Sequence, residues 1–597
     1  MTERPRIPLR PLARILPARE RGENPDAIER ENLARRHEAA RDGLRQRAES
    51  RLLVLAMCFL AAFLTIGMRM SGLAASEPQE PIVATTSSAI QSARADIVDR
   101  NGRVLASNLT THALYAHPHE LIDPAWAAEG LAAIFPDLDP SELYEDFSGE
   151  RRFVWIRRNL SPEQEQAVHD LGEPGLYFGP REMRLYPNGA LASHILGGAR
   201  FGEEGVNAAE IIGVAGVEAL FDDTLRDPAR DGQALRLSID LTLQAAVEEV
   251  LSGSMHLINA QGASAVLMDA RTGEVLSLAS LPDFDPNARP RPPTEGDPAE
   301  SPLFNRAVQG VYELGSVFKV FTVAQAMDLN LVAPSTLIDT SGPLRLGGFP
   351  IRDFRDHGPL QTVRDVVVNS SNIGTARIAA MIGADRQRAF LAALGMTERL
   401  PLEILEARGS TPLLPPRWGE LSTATVSYGH GVAVSPVHLA AAYATVAAGG
   451  TRVSPTLLAG AAPEPGPRVI SQETSEMMLE MMRAVVREGT ASIGDVAGYE
   501  VAGKTGTADL PLPDGSGYYE DRTRTTFASV FPASDPQFVL VVTLEQPWVV
   551  ALGETRRTAG WTAVPVGAEL IRRLAPLMGL RPEIEAGRGR ALSSGSN

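Results

Sequence analysis

Residues Glu313 to Val320 read Glu-Leu-Gly-Ser-Val-Phe-Lys-Val, and the reading of the whole chain turns on them. Ser316 and Lys319 are three apart, so on a helix they share a face and the lysine amine can reach the serine hydroxyl. Serine is a weak nucleophile until a base takes its proton, and lysine serves as that base once burial or a second cation lowers its pKa. Gly315 places Ser316 in the first helical turn, where free N–H groups favour negative charge. By itself a serine three before a lysine is a common surface pattern. Composition changes its weight: Lys319 and Lys504 are the only lysines among 56 basic residues, and the rest are arginine. Arginine stays protonated in proteins whereas lysine can lose its proton. Lysine is therefore kept where its own acid–base chemistry matters.

The residues after Ser316 support burial. Phe318, Val320, Phe321, Val323 and Ala324 make the helix apolar nearly all round, which is the pattern of a core helix. Desolvation there lowers an ammonium pKa. Two more stretches follow. Asn369-Ser-Ser-Asn-Ile-Gly374 precedes a helical run from Thr375, and Ser370 and Asn372 can offer it a hydroxyl and an amide. Taken alone, such a serine and asparagine read as a helix cap. Tyr499 to Ala508 contains Lys504-Thr-Gly-Thr507 and reads as an apolar strand whose glycines admit another backbone. Taken alone, Lys-Thr-Gly reads as an edge-strand turn. In this order, and holding both lysines, the three elements form one signal.

Working outward, 597 residues are too many for one core and suggest about two to four domains. The hydrophobic content of 44% and charged content of 22% are those of a folded protein, and a net charge of −17, with no basic, aromatic-interleaved stretch, argues against a nucleic-acid binder. Residues 1–51 are arginine-rich, with Pro5, Pro8, Pro11 and Pro17; the early part reads as disordered and Ala27 to Ser50 as a charged helix. Leu52 to Met68 is an uncharged apolar run between Arg51 and Arg69, roughly 25 Å long as a helix. With Arg69 snorkelling and small or apolar residues following, 52–70 reads as a membrane span. A cleaved signal peptide is disfavoured by the long leading segment. Arginines before the span put the N-terminus in the cytoplasm and the remaining chain across the membrane. The single cysteine, Cys58, lies in the span, so no internal disulfide can form.

Ser71 to Ser92 reads as a linker. Arg94 to Ala106 alternates into an Asn101-Gly102 turn, a β-hairpin signature that opens an α+β region running through Arg152–Arg157 and Arg184–Gly189 to Gly216–Phe221. No titratable cluster in it reads as catalytic: His117 and His119 read as surface histidines, and His37-Glu-Ala-Ala-Arg41 lacks the second histidine of a zinc-protease motif. No metal or cofactor site is expected. From Leu235 a strand leads into an amphipathic helix, and Ala263 to Ser280 reads as two apolar strands around a turn at Thr272-Gly273. Leu281 to Pro302 is proline-rich and reads as a surface loop.

With Ser316-x-x-Lys319, Ser370-x-Asn372 and Lys504-Thr-Gly506 in hand, the sequence resembles the penicillin-binding proteins, whose transpeptidase domains carry these three motifs. The resemblance runs from about Arg94 to Ala568. Arg94 with Asp99-Arg-Asn-Gly102, Arg184-Leu-Tyr-Pro187 and Gly213-Val-Ala-Gly-Val-Glu218 resemble the pedestal, or dimerisation, domain of class B members. The Ser-Ser-Asn form of the middle motif, Ser427-Tyr-Gly-His-Gly431 and Val501 to Ala508 look most like the division-specific, septal type. Leu314 stands where the family usually has proline, Ala95 where it has glycine, and His430 where it more often has tyrosine.

The resemblance implies an α/β and α+β multidomain chain: a cytoplasmic tail (1–51), a transmembrane helix (52–70), a linker (71–92), a pedestal (93–232), a serine β-lactamase-like transpeptidase domain (233–580) and a disordered tail (581–597). It implies a D,D-transpeptidase in which Ser316 attacks the bond between two D-alanines of a peptidoglycan stem peptide. Lys319 is the base, Ser370 and Lys504 relay the proton, and Asn372 orients Lys319 and the substrate amide. The backbone N–H groups of Ser316 and Thr507 form the oxyanion hole, and Thr505, Gly506 and Thr507 meet the terminal carboxylate. β-Lactams acylate Ser316. The implied partners are a SEDS-type glycan polymerase and other divisome membrane proteins, at an inner-membrane septum. An elongation-type transpeptidase, a membrane-anchored β-lactam sensor and a non-catalytic divisome subunit are the alternatives. A sensor needs an output domain that residues 1–51 are too short to hold, and intact motifs argue against the decayed subunit. Glu145-Asp-Phe-Ser148 only superficially echoes a glycosyltransferase signature. No extra carboxylate suggests a hydrolytic β-lactamase, and the loop from Asp509 to Thr523, with Tyr518 and Tyr519, reads as an ordinary mobile connection.

Overall fold

The computed structural model describes all residues except 1–10, 76–93, 206–207, 461–465, 513–516 and 584–597. The chain divides into two units, Met1–Ala89 and Ile90–Asn597. In the first, Leu12–Glu20 is helical, with Pro17 inside it, so the expectation of disorder fails there; the expected disorder of 1–10 lies outside the described residues. The second helix runs unbroken over Pro25–Ala75 and takes in both the charged segment and the apolar run. Leu52 to Met68 are exposed along it, yet among the described residues no helix is long and apolar enough to cross a membrane. Most of the expected linker, and the tail from 584 onward, lie outside the described residues.

In the second unit the Asn101-Gly102 turn closes the expected hairpin. Ile97 pairs with Ala106 and Val98 with Val104, and Gly102 takes the positive φ (+85°) that glycine tolerates. β1 (Val104–Ala116) then pairs antiparallel with both β2 (Val154–Arg157) and β3 (Leu176–Leu185). Leu114, Ala116, Val154, Ile156 and Leu176 alternate onto one face and bury against helices Pro124–Ile134, Pro140–Ser148 and Pro162–Asp170. Each of these helices starts with a side-chain cap, from Asp123, Asp139 or Ser161, followed by proline at the first helical position.

Three stretches distant in sequence meet in one buried network. The carboxylate of Glu218, fully buried, accepts from Arg94 Nε (2.8 Å), from Arg184 Nε (2.7 Å) and from the Tyr186 hydroxyl (3.3 Å), while Arg94 also pairs with Asp222 at 2.7 Å. The two guanidiniums balance the charge that burial would otherwise penalise. This network accounts physically for Arg94, Arg184-Leu-Tyr and Val217-Glu218 occurring together. Ile97–Val98 pairs in parallel with Leu235–Arg236, so the chain entering the pedestal lies beside the chain that leaves it for the next region.

That region is built on a five-stranded antiparallel sheet of β4 (Gly262–Asp269), β5 (Val275–Leu281), β6 (Ala502–Pro511), β7 (Tyr518–Phe531) and β8 (Phe538–Glu545), in spatial order β6-β7-β8-β4-β5. Both faces are covered, and β4 and β5 are buried almost without interruption. The 509–523 connection is not a loose loop: most of it extends β6 and β7 into a long hairpin, whose tip at 513–516 lies outside the described residues.

Replacing Glu218 by alanine leaves Arg94 paired with Asp222 but takes from buried Arg184 the carboxylate it pairs with, an uncompensated buried charge that costs about 3–5 kcal/mol. The expected result is a clearly lowered melting temperature by scanning fluorimetry; an unchanged one contradicts this account of the network.

Candidate active site

The quoted stretch opens as a 3-10 turn, Gly315–Phe318, and continues as an α-helix, Lys319–Asp328. Every residue from Lys319 to Met327 is buried, as the apolar pattern predicts. The expected α-helical first turn at Ser316 is instead this tighter turn, packed closely against β6. A Cβ on Gly506 would lie 2.1 Å from the Leu314 carbonyl, and one on Gly315 would lie 2.7 Å from the Thr507 carbonyl. The glycine of Lys-Thr-Gly thus lets an edge strand approach the serine turn backbone to backbone. Tyr443 donates to the Val317 carbonyl (2.9 Å) and fixes the turn from the core.

Ser316 is half-buried, and its hydroxyl has no hydrogen-bond partner among the described residues. Behind it both lysines are fully buried and converge on one atom. Ser370 Oγ accepts from Lys319 Nζ at 3.1 Å and from Lys504 Nζ at 2.9 Å. Lys319 also donates to the Ser370 carbonyl, and Lys504 to the Thr505 carbonyl at 3.2 Å. Ser370 holds a left-handed conformation (φ +62°), uncommon for a residue with a side chain and typical of sites where geometry is imposed.

Neither lysine has a carboxylate within ion-pair distance among the described residues. Desolvation drives the Lys319 amine well below its ordinary pKa and the Lys504 charge lowers it further, with only Asp353 opposing. Desolvation brings Lys504 down to about 7. Both amines are thereby moved toward the neutral, basic form at physiological pH.

The structure does not bring Asn372 to Lys319. Its side-chain nitrogen donates to the Arg352 carbonyl (2.9 Å), and Lys319 is satisfied by Ser370 instead. The helix also begins at Asn372 rather than Thr375, with Ser371 as its cap, accepting from Gly374 N. Asp353 carries no signal in the sequence. It accepts from Ser371 Oγ (2.6 Å) and from the backbone N–H groups of Asn372 (2.6 Å) and Ile373 (2.9 Å), which anchors the loop carrying Ser370. No spacing or motif around it points to that role.

Thr505, Gly506 and Thr507 lie on β6, the edge strand of the sheet. Thr505 Oγ1 shares a hydrogen bond of 2.7 Å with Thr490 Oγ1, and Thr507 Oγ1 accepts from Ala559 N at 3.0 Å. Sequence reasoning misses both of these supporting residues as well. At the rim, Glu313 accepts from Gly431 N (2.6 Å) and the Tyr518 hydroxyl (3.0 Å), with His430 at 3.5 Å. Tyr518 therefore joins the hairpin arm to the residue that opens the serine stretch.

A half-exposed serine at a turn before a buried helix, backed by paired lysines and an edge strand, defines the class of active-site-serine acyl transferases. Comparison with known proteins makes this specific. Residues 263–570 match the penicillin-binding protein transpeptidase domain, and residues 89–233 the penicillin-binding protein dimerisation domain. The chain is 34% identical over 507 residues to the probable peptidoglycan D,D-transpeptidase FtsI of Caulobacter vibrioides, covering 83% of each protein. It is 30% identical over 487 residues to the peptidoglycan D,D-transpeptidase FtsI of Escherichia coli K12, covering 77% of this chain and 80% of that one. The structure of penicillin-binding protein 3 from Mycobacterium tuberculosis, complexed with aztreonam, shares the fold with a TM-score of 0.62 at 24% identity, over 83% of this chain and 98% of that chain. The chain belongs to the penicillin-binding protein transpeptidase family, as a class B member of the FtsI-like kind.

Two outcomes follow from the lysine pair. Acylation by a chromogenic cephalosporin, timed by stopped flow, falls as pH drops through about 7, because a protonated Lys504 makes neighbouring Lys319 a weaker base for the serine proton. The same depressed pKa makes folding stability rise with pH between about 7 and the ordinary lysine value, since only the unfolded chain holds that proton there. Ser370→Ala removes the shared acceptor and is expected to slow acylation by about 10²-fold or more; a flat pH profile, or full activity in the variant, contradicts the arrangement.

Proposed function

We propose that this chain is a membrane-anchored peptidoglycan D,D-transpeptidase of the division septum, acting through a Ser316 acyl-enzyme. The observation that carries the assignment of roles is the convergence of Lys319 and Lys504 on Ser370 Oγ, with no carboxylate in ion-pair contact with either amine among the described residues. Lys319, one turn beyond Ser316, takes the serine proton as the hydroxyl attacks the carbonyl between two D-alanines. An ester to Ser316 forms, the peptide bond breaks, and D-alanine leaves with a proton passed along Ser370 and Lys504. A stem-peptide amine then attacks the ester, forming the cross-link and returning the proton to Ser316.

The outer edge of β6 suits an extended peptide, which would align as an added strand. The backbone N–H groups of Ser316 and Thr507 form the oxyanion hole, each such donor being worth about 3–4 kcal/mol. Thr505, Gly506 and Thr507 hold the terminal carboxylate, and Asn372 contacts the substrate amide once substrate is bound. The domain borders that go with this reading are 93–232 for the pedestal and 233–580 for the transpeptidase domain.

The apolar run within 52–70 anchors the chain in the inner membrane, with residues 1–51 cytoplasmic and the active site on the other side. The chain then depends on a separate glycan polymerase of the SEDS type and on other division proteins. β-Lactams trap Ser316 by mimicking the D-alanyl dipeptide.

Intact-mass analysis after incubation with benzylpenicillin tests the reading directly. A stable adduct of the drug's mass is expected on the wild type and not on Ser316→Ala. A folded protein that never forms the adduct points instead to a structural subunit, and rapid drug turnover without an adduct points to hydrolysis.

A further inference from the structure

The pedestal holds a group of donor side chains that the transpeptidase reaction does not use. β1 ends at Ala116, and the chain enters a 3-10 turn over Pro118–Glu120 that brings His117, His119 and Glu120 together. Their ligand atoms all lie within 4.8 Å of one another. Around one zinc ion, with bonds of about 2.0–2.2 Å, such atoms sit roughly 3.3–3.5 Å apart, a closure that side-chain rotation can supply.

The turn is held in place by its surroundings. Pro118 is buried, His117 N donates to the Gly175 carbonyl (2.9 Å), and Glu120 N donates to the His117 carbonyl (2.9 Å). The side chains are oriented too. The Tyr177 hydroxyl, on β3, donates to Glu120 Oε2. The His117 ring packs edge-on against Tyr177, with centroids 4.9 Å apart at 78°, and against Tyr115 at 5.5 Å. A hydroxyl that orients a ligating carboxylate is the kind of outer partner that metal sites use, and the ring packing limits how the His117 imidazole turns. His119 and Glu120 remain exposed, which leaves an entry path and room for water ligands.

We propose that His117, His119 and Glu120 bind one first-row divalent cation, zinc by the nature of the donors. Two imidazoles and one carboxylate suit zinc and its neighbours, whereas calcium and magnesium prefer all-oxygen sites. Water completes the coordination. Because Glu120 is tied to Tyr177, the bound cation clamps the turn after β1 to β3. It thereby steadies the aromatic row formed by Tyr177, Tyr115 and Trp155, which are paired across β3, β1 and β2. The spacing His-x-His-Glu by itself reads as surface histidines; the tyrosine that orients the carboxylate comes from a strand more than fifty residues away.

The test uses full-length, tag-free protein in detergent, stripped with EDTA and titrated with Zn2+ by calorimetry and with Co2+ by visible absorption. One equivalent is expected to bind, with cobalt bands of a four- or five-coordinate nitrogen and oxygen site and a raised melting temperature. His119→Ala and Glu120→Gln abolish binding, and Tyr177→Phe weakens it by about 10-fold. Benzylpenicillin acylation of these variants stays at the wild-type level, which shows that they fold. Absence of binding tighter than about 100 μM, or binding unaltered in His119→Ala and Glu120→Gln, overturns the proposal.

Discussion

Two lysine amines buried around a single hydroxyl, with no carboxylate in ion-pair contact among the described residues, are the constraint on which this structure depends. Water would solvate them and a paired aspartate would hold them charged; both amines are fully buried, and Asp353 only partly opposes the shift of Lys319. Such a pair is tolerated only when at least one amine is neutral, so the cost of burial is converted into basicity beside Ser316. The surrounding elements enforce that state. The helix carrying Lys319 is buried on every side, the strand carrying Lys504 lies at the sheet edge behind the serine turn, and Ser370 is held in a left-handed conformation.

The pedestal answers the same electrostatic problem differently. Glu218 is as inaccessible as the two lysines, but it is met by two guanidiniums and a tyrosine hydroxyl, and so stays a structural anion. Arginine suits that task because it remains charged and presents its donors in a fixed fork. Arginine thus supplies the permanent cations of the pedestal network, whereas the two lysines are the buried amines whose lowered pKa lets them lose a proton. The composition reflects this division of labour directly.

Much of this arrangement is legible in the order of residues. The buried helix after Ser316 follows from its apolar residues, the strands around Gly273 from alternation and turn chemistry, and the hairpin at Asn101-Gly102 from its dipeptide. The candidate site residues Ser316, Lys319, Ser370 and Lys504 are legible because the chain's two lysines sit in an ordered set of serine-containing motifs. Partners with no local signature stay hidden. Asp353, Thr490 and the Ala559 N–H reach the site from other segments, and Asn372 points its side-chain nitrogen to Arg352 rather than to Lys319. Local pattern also misjudges Leu12–Glu20, which is helical despite its proline.

The sequence alone determined which side chains could do chemistry, the order of the domains and the burial of the helix that follows Ser316. These depend on residue type and on periodicities of two or 3.6 residues. The tertiary structure decided which groups meet. Only folding sets Ser370 Oγ between two lysines 185 positions apart in the chain, brings Gly506 against the Leu314 carbonyl, and places Tyr177 on Glu120. Hydrogen bonding and desolvation act over a few ångströms of space, and distance along the chain carries no record of them.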